Sequence, residues 1–234
     1  MMNRKAGMVL LLGVVSILPA GVAAQNIFQK AANTISSWFS TGDKKDEATA
    51  TEHIDITKLT LDENLSIPEL DNKEARKIRA AQSREMKRLR KARLTDLKLV
   101  RNYEVIKATL AASNLFLPND TMLSDKADIF LRPFLSDLRI PDYYHVMVVM
   151  HSDDTGSESY CLDLTRARAH AVRNWFASHG GNTDCMVLYE AGPFAPVASN
   201  ATMEGRARNR RLDIYLIPGE KMIDMARRGQ LDKR

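Results

Sequence analysis

Residues Tyr143–Met150 read YYHVMVVM, eight residues without an acid, a lysine or an arginine. A run this short and this apolar, rich in aromatic and β-branched side chains and bounded by Pro141-Asp142, predicts a strand buried on both faces at the centre of a sheet. A strand so placed needs cover on both faces and neighbours on both edges, which limits the folds open to the chain. The stretch His151–Val172, HSDDTGSESYCLDLTRARAHAV, opens as a polar loop at the strand's end and then turns to helical spacing. A central strand, an acidic loop and a helix returning over the sheet make the core of a layered α/β unit.

The same periodicities extend the unit on both sides. Tyr103–Leu110 predicts a strand, and Leu115–Asp120 an apolar run ending in a turn. Ser124 stands as an N-cap for a helix to about Arg139, with Ile129, Phe130, Phe134, Leu135 and Leu138 turned inward. Leu162–Ser178 is the second helix, stopped by Gly180-Gly181. Cys185–Tyr189 is a short strand, Thr202–Asn209 a short helix, and Arg211–Ile217 a closing strand. The order β-α-β-α-β-(α)-β predicts an α/β sandwich, a mixed sheet with helices on one face.

Upstream the chain changes character. Arg4 and Lys5, the apolar run Met8–Leu18 and the small residues Val22-Ala23-Ala24 read as an export signal over 1–24, with an uncleaved membrane anchor as the rival. The extension over 25–71 holds a candidate amphipathic helix, Asn26–Ser40, and then a polar linker. Residues 72–101 carry twelve Lys and Arg against Glu74, Glu85 and Asp96, and predict a basic helix. It reads either as a solvated spacer or as a grip on an anionic membrane surface or an envelope protein. The net charge of +5 is too mild to argue for nucleic acid. The compact domain spans 102–220, and 221–234 reads as a C-terminal tail.

Cys161 and Cys185 fall at opposite ends of the second helix, ~25 Å apart by its rise, whereas a disulfide needs Cα atoms within ~7 Å. Two thiols without a mutual bond are expected, and no ligand spacing points to a metal or another cofactor.

Two residues stand out. Asp153 sits where the central strand gives way to a loop. Arg168 falls at about +40° on a helix face whose apolar members, Leu164, Ala171, Trp175 and Val172, span about −20° to +80°. A helical side chain leans toward the N-terminus, so Arg168 reaches back toward the loop bearing Asp153 and Asp154. One outcome is an internal salt bridge that fixes the loop. The other is a trap for a zwitterion, in which the carboxylate takes an ammonium and the guanidinium fork takes a carboxylate.

Three segments carry a family resemblance. HSDDTGSESYCLDLTRARAHAV resembles the core motif of OmpA-like C-terminal domains, GHTDxxGs…NxxLSxxRAxxV. EGRARNRRLDI (Glu204–Ile214) resembles the closing motif EGRAxNRRVEI, and LFLPNDTML (Leu115–Leu123) the opening strand and turn. The resemblance implies non-catalytic binding of peptidoglycan, with the diaminopimelate of the stem peptide held between Asp153 and Arg168. It places Arg210 and Ser152 beside the same site. It also places Cys161 there, where the family has Asn. It implies a periplasmic or outer-membrane-associated protein anchored to the cell wall. The alternative is an envelope adaptor whose domain has weakened ligand binding and which acts through a partner of the basic helix. An enzyme built on His151, Asp153, Asp154, Glu158 and His170 is not expected, because no nucleophile with a nearby base and no HExxH pattern appears.

Overall fold

The structure is a computed structural model and describes residues 60–66, 70–184 and 186–231. The expected export signal, the Asn26–Ser40 segment and Cys185 lie outside the described residues.

Five strands form one mixed sheet: β1 (Leu97–Val100), β2 (Val105–Ala111), β3 (Tyr144–His151), β4 (Met186–Gly192) and β5 (Arg211–Pro218), in the order β1-β2-β5-β3-β4. All neighbours are antiparallel except β3 and β4. The two strands read most clearly from the sequence lie inside the sheet, β5 at its centre with β3 beside it, and all eight residues of β5 are buried. The helices, in chain order, are α1 (Leu61–Ser66), α2 (Asn72–Lys91), α3 (Ala127–Leu131), α4 (Leu135–Leu138), α5 (Glu158–Ser178), α6 (Met203–Asn209) and α7 (Glu220–Arg227).

The main core lies between the sheet and α2–α5 and α7. Val146, Val148 and Met150 of β3 and Leu212, Ile214 and Leu216 of β5 meet Ile78, Leu89, Leu131, Phe134, Val172, Phe176 and Met222 there. Full burial of such a side chain contributes ~1.5–3 kcal/mol. The other face carries Val105, Met147, Val149, Val187, Tyr215 and Ile217, on which Leu61 and Leu65 of α1 pack. Helices therefore touch both faces, where the periodicity predicted one.

Further expectations change as well. The basic helix starts at a capping box, Asp71 accepting from the Glu74 amide (2.7 Å) and Glu74 from the Asp71 amide (3.3 Å), and it ends at Lys91, ten residues early. Leu97–Val100 turns back as an edge strand on β2. Nor is α2 a free-standing spacer, since Ile78 and Leu89 are wholly buried. The segment expected as linker contains α1, and the segment expected as tail contains α7, with Met222, Ile223 and Ala226 buried. The helix after Ser124 is broken by a 3-10 turn at Arg132–Phe134, around Pro133. Ile129 is 61% exposed, because the inward stripe runs through Ala127, Leu131, Phe134, Leu135 and Leu138.

Candidate ligand-binding site at the sheet rim

The rim is set by register. His151 ends β3 opposite Arg211, which starts β5, and Ala111 ends β2 opposite the same residue. The loop after β3, the segment around Leu117–Asp120 and the end of α6 therefore gather at one edge.

Asp153 lies in the β3–α5 loop with its side chain 8% exposed. Its Oδ1 accepts the Thr155 amide at 3.0 Å, an Asx turn that folds the loop on itself. Its Oδ2 accepts from Nη1 of Arg210, the half-exposed residue that closes α6. Burial pushes the Asp153 carboxyl up, but the Thr155 amide and the Arg210 guanidinium outweigh it and hold the group below the usual carboxylate range.

Arg168 projects from α5 and is 5% exposed. Its Nε donates to the Asp120 carbonyl at 2.8 Å and its Nη2 to the Leu117 carbonyl at 3.4 Å. The guanidinium lies 4.8 Å from the Phe116 ring centroid. Burial lowers its pKa against opposing effects of Tyr160 and Asp120, and the charge of Arg210 adds a smaller push in the same direction as burial. A guanidinium nonetheless keeps its proton. Arg168 forms no ion pair with any described residue, and its Nη1 makes no hydrogen bond within them. The internal bridge weighed from the sequence is not what forms. Carbonyls of the Leu117–Asp120 turn capture Arg168, and the guanidinium that meets Asp153 comes from Arg210.

Cys161 departs from its expected place as well. It is 1% exposed in the first turn of α5, with Sγ 3.7 Å from both the Asp153 and Thr155 carbonyl oxygens. It supports the Asp153 loop from beneath. Ser152 donates its amide to the Gly192 carbonyl at 2.8 Å, while its hydroxyl is buried without a partner among the described residues. Asp154 is exposed.

Some supports were not legible as site residues. Asn209 is wholly buried; its Oδ1 accepts the Val197 and Ala198 amides, and its Nδ2 donates to the Ala198 carbonyl and to Asn200 Oδ1. It clasps the loop after β4 to α6. At Gly205 a Cβ would collide with the Ser199 carbonyl oxygen, so glycine permits that close approach. Behind the rim, Asp213 is 1% exposed and pairs with Lys107 (2.9 Å), His151 (3.2 Å) and Arg211 (3.2 Å), and it accepts from the Thr109 hydroxyl at 2.7 Å. The polar spacing of EGRARNRR held a sign of this clasp, but nothing in it separated Asn209 from its neighbours. The residues weighed for an enzyme do not converge: His151 is committed to Asp213, whereas His170 and Glu158 are exposed on α5. Among the described residues no cluster of His, Cys, Asp or Glu has the makings of a metal site.

The OmpA family model matches residues 115–210, and that segment is similar to the OmpA family. Outer membrane protein A of Bordetella avium is 30% identical over 115 residues, covering 49% of this chain and 59% of that protein. The peptidoglycan-binding protein ArfA of Mycobacterium tuberculosis is 41% identical over 66 residues, covering 28% of this chain and 20% of that protein. The chain thus spans less than two thirds of the first relative and a fifth of the second. Among solved structures, the cell wall anchor of the T6SS from Pseudomonas aeruginosa superposes with a TM-score of 0.50 at 26% identity, over 58% of this chain and 96% of that one.

Proposed function

We propose that the rim binds the stem peptide of peptidoglycan non-covalently and so anchors an exported protein to the cell wall. Arg168 carries this reading. It is a buried guanidinium held by two carbonyls and a ring that forms no ion pair with any described residue, and such a charge is costly unless an anion completes the site. Asp153 stands ionised in the same rim. An ammonium adds to its remaining lone pairs, and a carboxylate adds to Arg168 and the half-exposed Arg210. The free end of diaminopimelate carries both groups on one carbon. Nothing in this arrangement requires a covalent step, and the role is grip. The similarity to a peptidoglycan-binding protein and to a cell wall anchor supports the same reading.

Calorimetry tests it with two soluble stem tripeptides. One ends in diaminopimelate and the other in lysine, which keeps the ammonium and lacks the second carboxylate. The diaminopimelate peptide is expected to bind on the order of tenfold to a hundredfold more tightly, the worth of one charge-assisted contact of ~1.5–3 kcal/mol. Equal affinity would remove Arg168 from the site. No affinity for either would favour an adaptor whose domain has kept its shape and acts through another partner.

A further inference from the structure

The charges of α2 are sorted by face. At ~100° per residue, the buried Ala75, Ile78, Gln82 and Leu89 centre on one side of the helix. Its two acids turn toward the domain: Glu74 pairs with Arg227 of α7, and Glu85 with Arg88, which also bonds Asp137 and the Pro133 carbonyl. The opposite side holds Lys73, Arg76, Lys87, Arg90 and Lys91, all exposed, with no acid among them. Arg76, Lys87, Arg90 and Lys91 form no ion pair with any described residue. A merely solvated helix face mixes both signs. This one presents a single sign along ~27 Å of a helix clamped to the domain.

We infer that this face is a second attachment site, one that adsorbs to the surface of an anionic phospholipid bilayer. The chemistry of the face chooses the occupant. Protein interfaces are anchored by buried aromatic or aliphatic residues, and no exposed large hydrophobic side chain occurs on α2. A bilayer surface needs no such anchor, because each basic residue near anionic headgroups contributes independently. A straight, rigid row of cations also suits a flat sheet of phosphates.

The position of α2 gives the inference its meaning. Gln82 donates to the Glu104 and Leu216 carbonyls and accepts from the Tyr144 hydroxyl. Those partners lie where β2 and β3 begin and β5 ends. Asp153 and Arg210 lie where β3 ends and β5 begins, roughly 23 Å away along β3. The two sites therefore address opposite ends of the sheet, so that occupying one leaves the other open.

The test is flotation of the whole chain with vesicles of neutral phosphatidylcholine, alone or with 30% phosphatidylglycerol, beside the variant Arg76→Gln/Lys87→Gln/Arg90→Gln. Circular dichroism melting confirms that the variant folds. The wild type is expected to favour the anionic vesicles, and the variant to lose that preference by on the order of a hundredfold. Attachment to neutral vesicles through residues before α2 would be the same in both and cancels. Equal partitioning of the two proteins onto anionic vesicles would overturn the inference. So would tighter binding of the wild type to soluble polyglutamate than to the vesicles, which would assign the face to an acidic protein. Because neither readout involves Asp153 or Arg168, failure here leaves the wall-binding reading untouched.

Discussion

Arg168 and Asp153 lie in one rim yet are held by different hands. Arg168 is oriented by carbonyls, which align a guanidinium without cancelling its charge; Asp153 is oriented by the Thr155 amide and Arg210. The two therefore fail differently when changed. Arg168→Ala removes a charge that forms no ion pair with any described residue, so its cost should fall on ligand affinity more than on stability. Arg210→Ala should weaken binding by about tenfold or less, since its half-exposed side chain is worth less than a buried one. The thiol of Cys161 is a weak donor. Cys161→Asn offers two N–H donors to the same loop carbonyls and is expected to tighten stem-peptide binding by a few fold, read by calorimetry. Weaker binding would show that the cavity beneath the loop has no room for an amide. At this scale the sequence was informative about Asp153 and Arg168 because each broke a local pattern, a paired acid at a strand end and a cation in an apolar stripe. The pairing of Asp153 with Arg210 was not legible. It depends on how α6 ends against β5, a tertiary fact without a periodic signature.

Among the elements, the strands YYHVMVVM and RLDIYLI declared themselves, because central strands must be apolar or alternate with period two. The end of α2 did not. Seven of residues 92–101 are Ala, Arg, Leu or Lys, good helix formers, yet the chain leaves the helix through left-handed backbone at Arg93 (φ 68°) and turns from β1 into β2 through Arg101, Asn102 and Tyr103 (φ 46°, 49° and 69°). None of these is a glycine, so the sequence does not advertise the turns. The consequence is that α2 belongs to the folded unit. Leu89→Ala should then destabilise the whole domain by about 2–5 kcal/mol in urea unfolding; a spacer would tolerate it with no measurable change. The junction of α2 with α4 is also titratable. Burial, with Glu85 beside it, raises Asp137 to about 8 against the opposing pull of Arg88. An acid whose folded pKa is raised stabilises most below its unfolded value near 4 and loses that contribution as pH rises toward the folded value. Asp137→Asn should accordingly flatten the fall in stability between roughly pH 4 and 8. A profile that keeps its wild-type slope would locate the titration elsewhere.

At the scale of the molecule, the sheet connects two surfaces of different character, an acid-and-guanidinium rim at one end and a cationic helix toward the other. The buried network around Asp213 braces the rim. Burial pushes this carboxyl up, but bonds from His151, Lys107 and Thr109 prevail and hold it far below the usual range. A depressed carboxylate contributes its stability above the unfolded pKa, about 4, and loses it as pH falls through the folded value. Asp213→Asn should cost about 3–5 kcal/mol at neutral pH, because Lys107 and Arg211 lose their counter-charge, and should shift acid unfolding to higher pH. Among the described residues no helix is long and apolar enough to cross a membrane. Grip at the rim is the central claim. Its most direct test is sedimentation of the whole chain with purified insoluble peptidoglycan, beside the Asp153→Ala/Arg168→Ala variant, at an ionic strength that suppresses adsorption through α2. The wild type is expected to pellet with the wall, and the double variant, still folded, to remain in the supernatant. Equal pelleting of the two would contradict grip at the rim.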